Sequence, residues 1–216
     1  MQPDRIGAFL RAAERLAEAP PGEGRPVDWR YWPAAAWLLM HGLRAGEVQH
    51  LRVRDVDLTH GVVHVRDRAG ARTKTRRSDR AVPVLSLRAL DALREALRDR
   101  QDTPDAQAIP MGRGGRDGAG TRSKWLAKRC AATCGEAGIE QLSPHALRHT
   151  VATLAIAAGA DLHSIQALLG HEDARVTARI YSHARAGAQA MAAARVIGEY
   201  LDRAVDGRAS LSVIHP

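Results

Sequence analysis

The chain has 216 residues, 45% hydrophobic and only 4% aromatic, enough to bury one core built mainly from Ala, Leu and Val, a composition that leans towards helix. Its 32 Lys and Arg outnumber 24 Asp and Glu, a net charge of +8 that points to a polyanionic partner, nucleic acid first, or serves solubility alone. No run approaches the ~18 apolar residues of a membrane span and no signal peptide opens the chain, so the expectation is a soluble cytoplasmic protein, associated with the nucleoid if DNA is its partner.

Pro3 to Ala19 reads as an amphipathic helix, with Ile6, Phe9, Leu10, Ala13 and Leu16 at helical spacing. The proline- and glycine-rich stretch Pro20 to Pro26 is a loop. A helix follows from near Pro33 to Met40, Gly42 breaks it, and a shorter helix covers Ala45 to Leu51. Alternation then predicts strands at Arg52 to Leu58, from Gly61 through V-V-H-V, and at Arg80 to Val84, where Pro83 suits an edge strand. Arg66 to Asp79 forms an extended, basic connection between the last two.

Beyond Ser86 the pattern is helical. Ser86 to Arg100 is amphipathic through Leu87, Leu90, Leu93 and Leu97, and residues 102–120 are a polar loop. Arg122 to Ala137 is a basic helix carrying Cys130 and Cys134, whose spacing on one helix suits free thiols in a reducing compartment better than a disulfide. Ser143-Pro144 pairs an N-cap with proline at the first helical position, starting a helix that runs to Ala158. Asp161 and Gly170 bound the next, and Ala184 to Val205 is the last. The fold class expected is α+β, mainly α, with a small three-stranded antiparallel sheet.

On the Ser143 helix, Leu147, Val151, Leu154 and Ala158 share one face, and His145, Arg148 and His149 fall opposite. The polar triplet is a solvated face or a site. Zinc is disfavoured, because the metalloprotease pattern H-E-x-x-H is absent and an arginine lies within a turn. L-L-G-H presents His171 after a helix-ending glycine, and Tyr181 follows in R-I-Y-S-H. Upstream, Arg44 and Glu47 stand in G-L-R-A-G-E, where Glu47 in the first turn also suits simple capping. Lys74 in T-K-T is one of only three lysines in an arginine-dominated chain, and unlike arginine a lysine can release a proton near neutral pH; otherwise it is a loop lysine.

Read in order, G-L-R-x-x-E, T-K-T before R-x-V-P, H-x-x-R-H, L-G-H and a tyrosine ten residues on resemble the tyrosine recombinase (phage integrase) family, over about Ile6 to Val205. The resemblance implies the catalytic fold of that family over residues 1–205. A tail, 206–216, either docks on a neighbouring protomer or frays. It implies a site-specific recombinase that works on double-stranded DNA as a homotetramer, through a 3′-phosphotyrosine and without metal or cofactor. Arg44 and Arg148 would grip the scissile phosphate, His145 would assist proton removal, Lys74 would protonate the leaving oxygen, His171 would bond the phosphate and Tyr181 would attack. Glu47 and His149 would support them. Arg122, Lys124 and Lys128 are DNA contacts or a solvated face. The family's helical core-binding domain has no counterpart in these residues, which marks a fragment or a short single-domain relative. A type IB topoisomerase and a non-catalytic DNA-binding module are the competing expectations.

Overall fold

The structure is a computed structural model and describes residues 3–18, 27–66, 79–111, 118–157, 162–169 and 183–208. Its elements are α1 (Pro3–Glu18), α2 (Trp32–Met40), α3 (Ala45–His50), β1 (Val56–Asp57), β2 (Val62–Val65), β3 (Arg80–Pro83), α4 (Leu87–Leu97), α5 (Gly118–Ala137), α6 (Pro144–Ala157), α7 (Leu162–Leu169) and α8 (His183–Val205). The expected class, mainly helical with a three-stranded antiparallel sheet in the order β1-β2-β3, is what the chain adopts. Among the described residues no helix is long and apolar enough to cross a membrane.

The centre of the molecule is α2, every residue of which is buried. An all-apolar helix has no face to offer water and must be wrapped; α1, α4 and α6 pack around it. Trp32 is its anchor. The ring meets Phe9 and Trp125 edge-on at centroid distances of 6.3 and 5.9 Å, and its Nε1 donates to Thr133 Oγ1 at 2.7 Å. A buried indole needs such a partner for its one donor. The helix ends at Gly42, whose φ of 88° lies where side chains are disfavoured. Gly42 N donates to Leu39 O and Leu43 N to Leu38 O, both at 3.1 Å, the paired bonds of a Schellman stop. That reversal fixes where Arg44, the next residue, enters α3.

The sheet differs from expectation at its first strand. Only Val56–Asp57 joins the sheet, Arg52 makes an isolated bridge to Gln107 and Val53–Asp55 forms a 3-10 turn. The Asp55 carboxylate accepts from Arg52 N at 2.9 Å. The amides of Val53 and Arg54 donate to the carbonyls of Ala106 and Pro104, each at 3.1 Å, so donors that alternation assigned to a ladder serve a neighbouring loop. β2 and β3 follow the expected pattern, with Val63 and Val65 buried and Pro83 on the edge strand. Register sets Val65 against Arg80. In α4, Ser86 is the N-cap, its Oγ accepting from Ala89 N at 3.1 Å, but Leu87 is 70% exposed, so the apolar stripe begins at Ala89. The expected polar loop at 102–120 holds buried Ala108, Ile109 and Met111, and α5 begins at Gly118.

Both cysteines are free and buried, and they clip one residue: Cys130 Sγ donates to Leu142 O at 3.0 Å and Cys134 Sγ accepts from Leu142 N at 3.3 Å. Burial pushes the Cys130 thiol well above its ordinary pKa. Ser143, next along, caps α6 through its Oγ, which accepts from Ala146 N at 3.1 Å. The site-bearing helix is therefore fixed at its first turn.

α1 closes the far end of α8. Arg11 Nη1 donates to the carbonyls of Ala204 and Val205 at 3.1 and 2.5 Å, occupying acceptors that a helix C-terminus leaves open. Gly7 permits the approach, since a Cβ there would lie 1.9 Å from Ala204 O. Two effects oppose each other in Gly7→Ala: helix propensity favours alanine by about 1 kcal/mol, and the clash with backbone costs about 1–3 kcal/mol or more. A Cβ at this distance makes the clash dominant. Urea unfolding is expected to show a destabilised variant, and a stabilised one would contradict the close packing of α1 on α8.

Candidate active site

The site is built around one carboxylate. Glu47 lies in the first turn of α3 with its side chain only 3% exposed. A buried acid must be paired or it gives up its charge. Glu47 Oε2 accepts from Arg44 N at 2.7 Å, and Oε1 accepts from Arg44 Nη1 at 2.8 Å. From the other side Arg80 forks onto it, Nη1 to Oε1 and Nη2 to Oε2, each at 2.8 Å. Burial pushes the Glu47 carboxyl up, but the bonds and charge of Arg80, with those of Arg44, outweigh it and hold the group below its ordinary value.

Arg80 is the functional residue that sequence reasoning missed. It entered only as the first letter of the strand R-A-V-P. No local signal pointed to it, because Glu47 read as a capping acid and its burial, which calls for a second cation, arises only in the fold. Arg80 also donates from Nε to Leu168 O at 3.1 Å, at the end of α7.

Arg148 corrects the helical-face reading of α6. It does not point away with the histidines. It is 4% exposed and its guanidinium donates to two backbone carbonyls, Nη1 to Gly42 O and Nη2 to Leu169 O. The physical reason is its angular position, roughly 60° from Val151 at 100° per residue, which places a long side chain on the flank of the apolar stripe. Its pKa is pushed down to about 10, by burial first, then by the charges of Arg44 and Arg80, with Glu47 opposing. The fields of Arg44, Arg80 and Glu47 therefore all reach Arg148 from segments remote in sequence.

His145 and His149 are exposed, with Nε2 atoms 2.8 Å apart and rings edge-to-face at 4.3 Å. One ring donates its Nε2 proton and the other accepts, so the acceptor carries its proton on Nδ1. Lys124 and Lys128 are exposed on α5, and Arg122 lies in the same helix with its side chain outside the described residues. Arg129 of that helix turns inward instead, stacking over Trp29 at 4.0 Å and Trp125 at 5.1 Å. Lys74, His171 and Tyr181 lie outside the described residues. The structure thus brings together Arg44, Glu47 and Arg148, adds Arg80, and sets His145 and His149 on the α6 helix that carries Arg148.

The model of the phage integrase family matches residues 3–187. Over 192 residues the chain is 37% identical to tyrosine recombinase XerD of Ralstonia nicotianae, covering 84% of this chain and 58% of that one. It is 37% identical over 142 residues to tyrosine recombinase XerA of Thermococcus kodakarensis, covering 65% of this chain and 46% of that one. The crystal structure of XerA recombinase superposes with a TM-score of 0.62 at 26% identity, covering 85% of this chain and 59% of that one. The Tn1549 transposon integrase in complex with transposon right end DNA shares the fold, with a TM-score of 0.57 at 20% identity over 89% of this chain and 65% of that one. The chain spans about half the length of the curated relatives it matches.

The depressed Glu47 carboxyl has a stability consequence with a definite sign. A group held below its ordinary value contributes stability above that value, 4.5, and the contribution is lost as pH falls through the folded value. Glu47→Gln leaves Arg80 buried without its carboxylate and should cost about 3–5 kcal/mol near neutral pH. Denaturant melts across the acid range should show parent and variant converging as pH falls below 4.5 and through the folded value. A gap independent of pH would contradict an ionised Glu47 at the centre of the site.

Proposed function

The chain belongs to the phage integrase family, and from that premise we propose that it is the catalytic part of a site-specific recombinase that cuts and rejoins double-stranded DNA through a bond to Tyr181. The observation that carries the reading is the convergence of three guanidiniums, from Arg44, Arg80 and Arg148, on a single buried carboxylate and its surroundings. Among the described residues, one acid faces three bases, which gives this part of the cluster excess positive charge. A phosphodiester brings one negative charge, and attack at phosphorus builds a second on its non-bridging oxygens. Fixed guanidiniums stabilise that developing charge more than the ground state, which is the condition for catalysis.

Residue roles follow from that chemistry together with the family. Arg44, whose side chain is 38% exposed, and Arg148 hold the two non-bridging oxygens. The Tyr181 phenol, ordinarily titrating near ~10, loses its proton with help from His145, and its oxygen attacks phosphorus. Lys74 gives a proton to the departing 5′ oxygen, and His171 donates a hydrogen bond to the phosphate. The products are a 3′-phosphotyrosine and a free 5′ hydroxyl. A 5′ hydroxyl from a second duplex attacks that bond and returns the proton and the phenol, so bond energy is conserved through the exchange. Exchange between two duplexes calls for four active sites, hence a homotetramer on DNA. Residues 1–205 make up the catalytic unit, the tail 206–216 docks between protomers, and Arg122, Lys124 and Lys128 lie along the DNA backbone.

The test is covalent capture. Nicked duplexes tiled across the DNA flanking the gene should yield a protein–DNA adduct that survives denaturation, and Tyr181→Phe should abolish it. Arg148→Ala should slow adduct formation roughly 10²–10³-fold, by analogy with loss of one oxyanion donor. Capture by Tyr181→Phe at the parental level would overturn the nucleophile assignment. Binding without any adduct would make the chain a DNA-binding module. Relaxation of a supercoiled plasmid without exchange between duplexes would make it a topoisomerase.

A further inference from the structure

We propose that Arg80 is a positioning residue that joins the two arms of the phosphate clamp, Arg44 and Arg148, into one hydrogen-bonded ring, so that neither arm is set independently of the other. This rests on the clamp reading of those two residues and adds a residue and a coupling to it.

The ring can be traced atom by atom. Arg80 stands first in β3, its side chain only 9% exposed. Its two Nη atoms grip both oxygens of Glu47, and Glu47 in turn holds Arg44 through the backbone amide and Nη1. Its Nε holds Leu168 O. The next carbonyl, Leu169 O, is taken by Arg148, which also reaches Gly42 O. Gly42 is two residues from Arg44, and the circuit closes. A Cβ on Gly42 would sit 2.6 Å from Leu169 Cδ2, so the α2 stop and the α7 end are also in contact. Four separated segments, 42–47, 80, 148 and 168–169, thereby share one set of bonds.

Arg80 has a simpler use, neutralising the buried Glu47. The two uses separate on chemistry. A lysine at position 80 would supply the charge, but its single ammonium cannot hold both carboxylate oxygens in a planar fork and a backbone carbonyl through a third nitrogen. Neutralisation alone therefore makes Arg80→Lys equivalent to the parent. Positioning makes it defective, because displacing a clamp by about 1 Å costs about 10²-fold in rate.

The experiment uses the full chain, and two readouts. In the first, Arg80→Lys is compared with the parent on a nicked duplex captured by the parent: binding is expected to stay within about threefold while adduct formation slows about 10²-fold. Combining Arg80→Lys with Glu47→Gln should add little to Glu47→Gln alone, since the ring is already open. The second readout needs no DNA. In arginine-labelled protein, both Nη groups of Arg148 are hydrogen-bonded and should give separate NMR resonances through hindered rotation. In Arg80→Lys they should merge, although residue 80 reaches Arg148 only through the backbone of Leu168 and Leu169 in this ring. Glu47→Asp, which retains the charge and shortens the link, replaces Arg80→Lys if that variant does not fold. Parental adduct rates, or unchanged Arg148 resonances, overturn the coupling. Failure of the parent itself to form an adduct overturns the recombinase reading, and the Arg148 resonances then decide the coupling alone.

Discussion

The structure of the site depends on keeping one carboxylate ionised out of water. An isolated Glu47 in that position would take up a proton, and the reason for its neighbours would vanish. Two guanidiniums prevent this, one from its own helix turn and one from β3. Buried ion pairs add little net stability over an apolar alternative, but breaking one is costly. Their value here is geometric. The carboxylate is a fixed point to which arginines from separate segments can be referred.

Everything around that point is arranged to deliver backbone to it. The fully buried α2 ends in a Schellman turn at Gly42, whose carbonyl faces Arg148 and whose reversal starts Arg44 into α3. The Cys130–Leu142–Cys134 clip and the Ser143 cap set the first turn of α6. α1 holds the end of α8 through Arg11 and Gly7. The helices supply rigidity, and the small sheet supplies Arg80. Orientation fixed in the folded state need not be acquired on binding, which is the physical content of preorganisation.

Local chemistry was legible in the sequence and distant pairing was not. Ser143-Pro144 announced a helix start because capping is a matter of adjacent residues, and Gly42 announced a stop for the same reason. Arg44 and Glu47, three apart, were legible as neighbours, and the strand at Arg80–Pro83 was legible from its alternation, with Pro83 marking an edge. The Arg80–Glu47 pair was not, since its partners lie 33 residues apart and no periodicity connects them. β1 shrank because Val53 and Arg54 spend their amides on the 104–106 loop, a tertiary bond that alternation does not encode. Arg148 was assigned to the outer face because angular position was read as a choice between two sides. A residue on the flank with a long side chain goes where carbonyls await it. The family itself was legible from five short motifs in order, and the match of the family model over residues 3–187 agrees.

On the proposed reading, this ring of arginines holds a single phosphate. A crystal structure of the full chain bound to duplex DNA from its own site, with Tyr181→Phe to stop cleavage, measures it most directly. The expected result is one phosphate with both non-bridging oxygens within hydrogen-bonding distance of Arg44 and Arg148, and with Glu47 still between Arg44 and Arg80. A complex in which the two arginines contact different phosphates, or in which DNA runs past α6 without reaching Arg148, would contradict it.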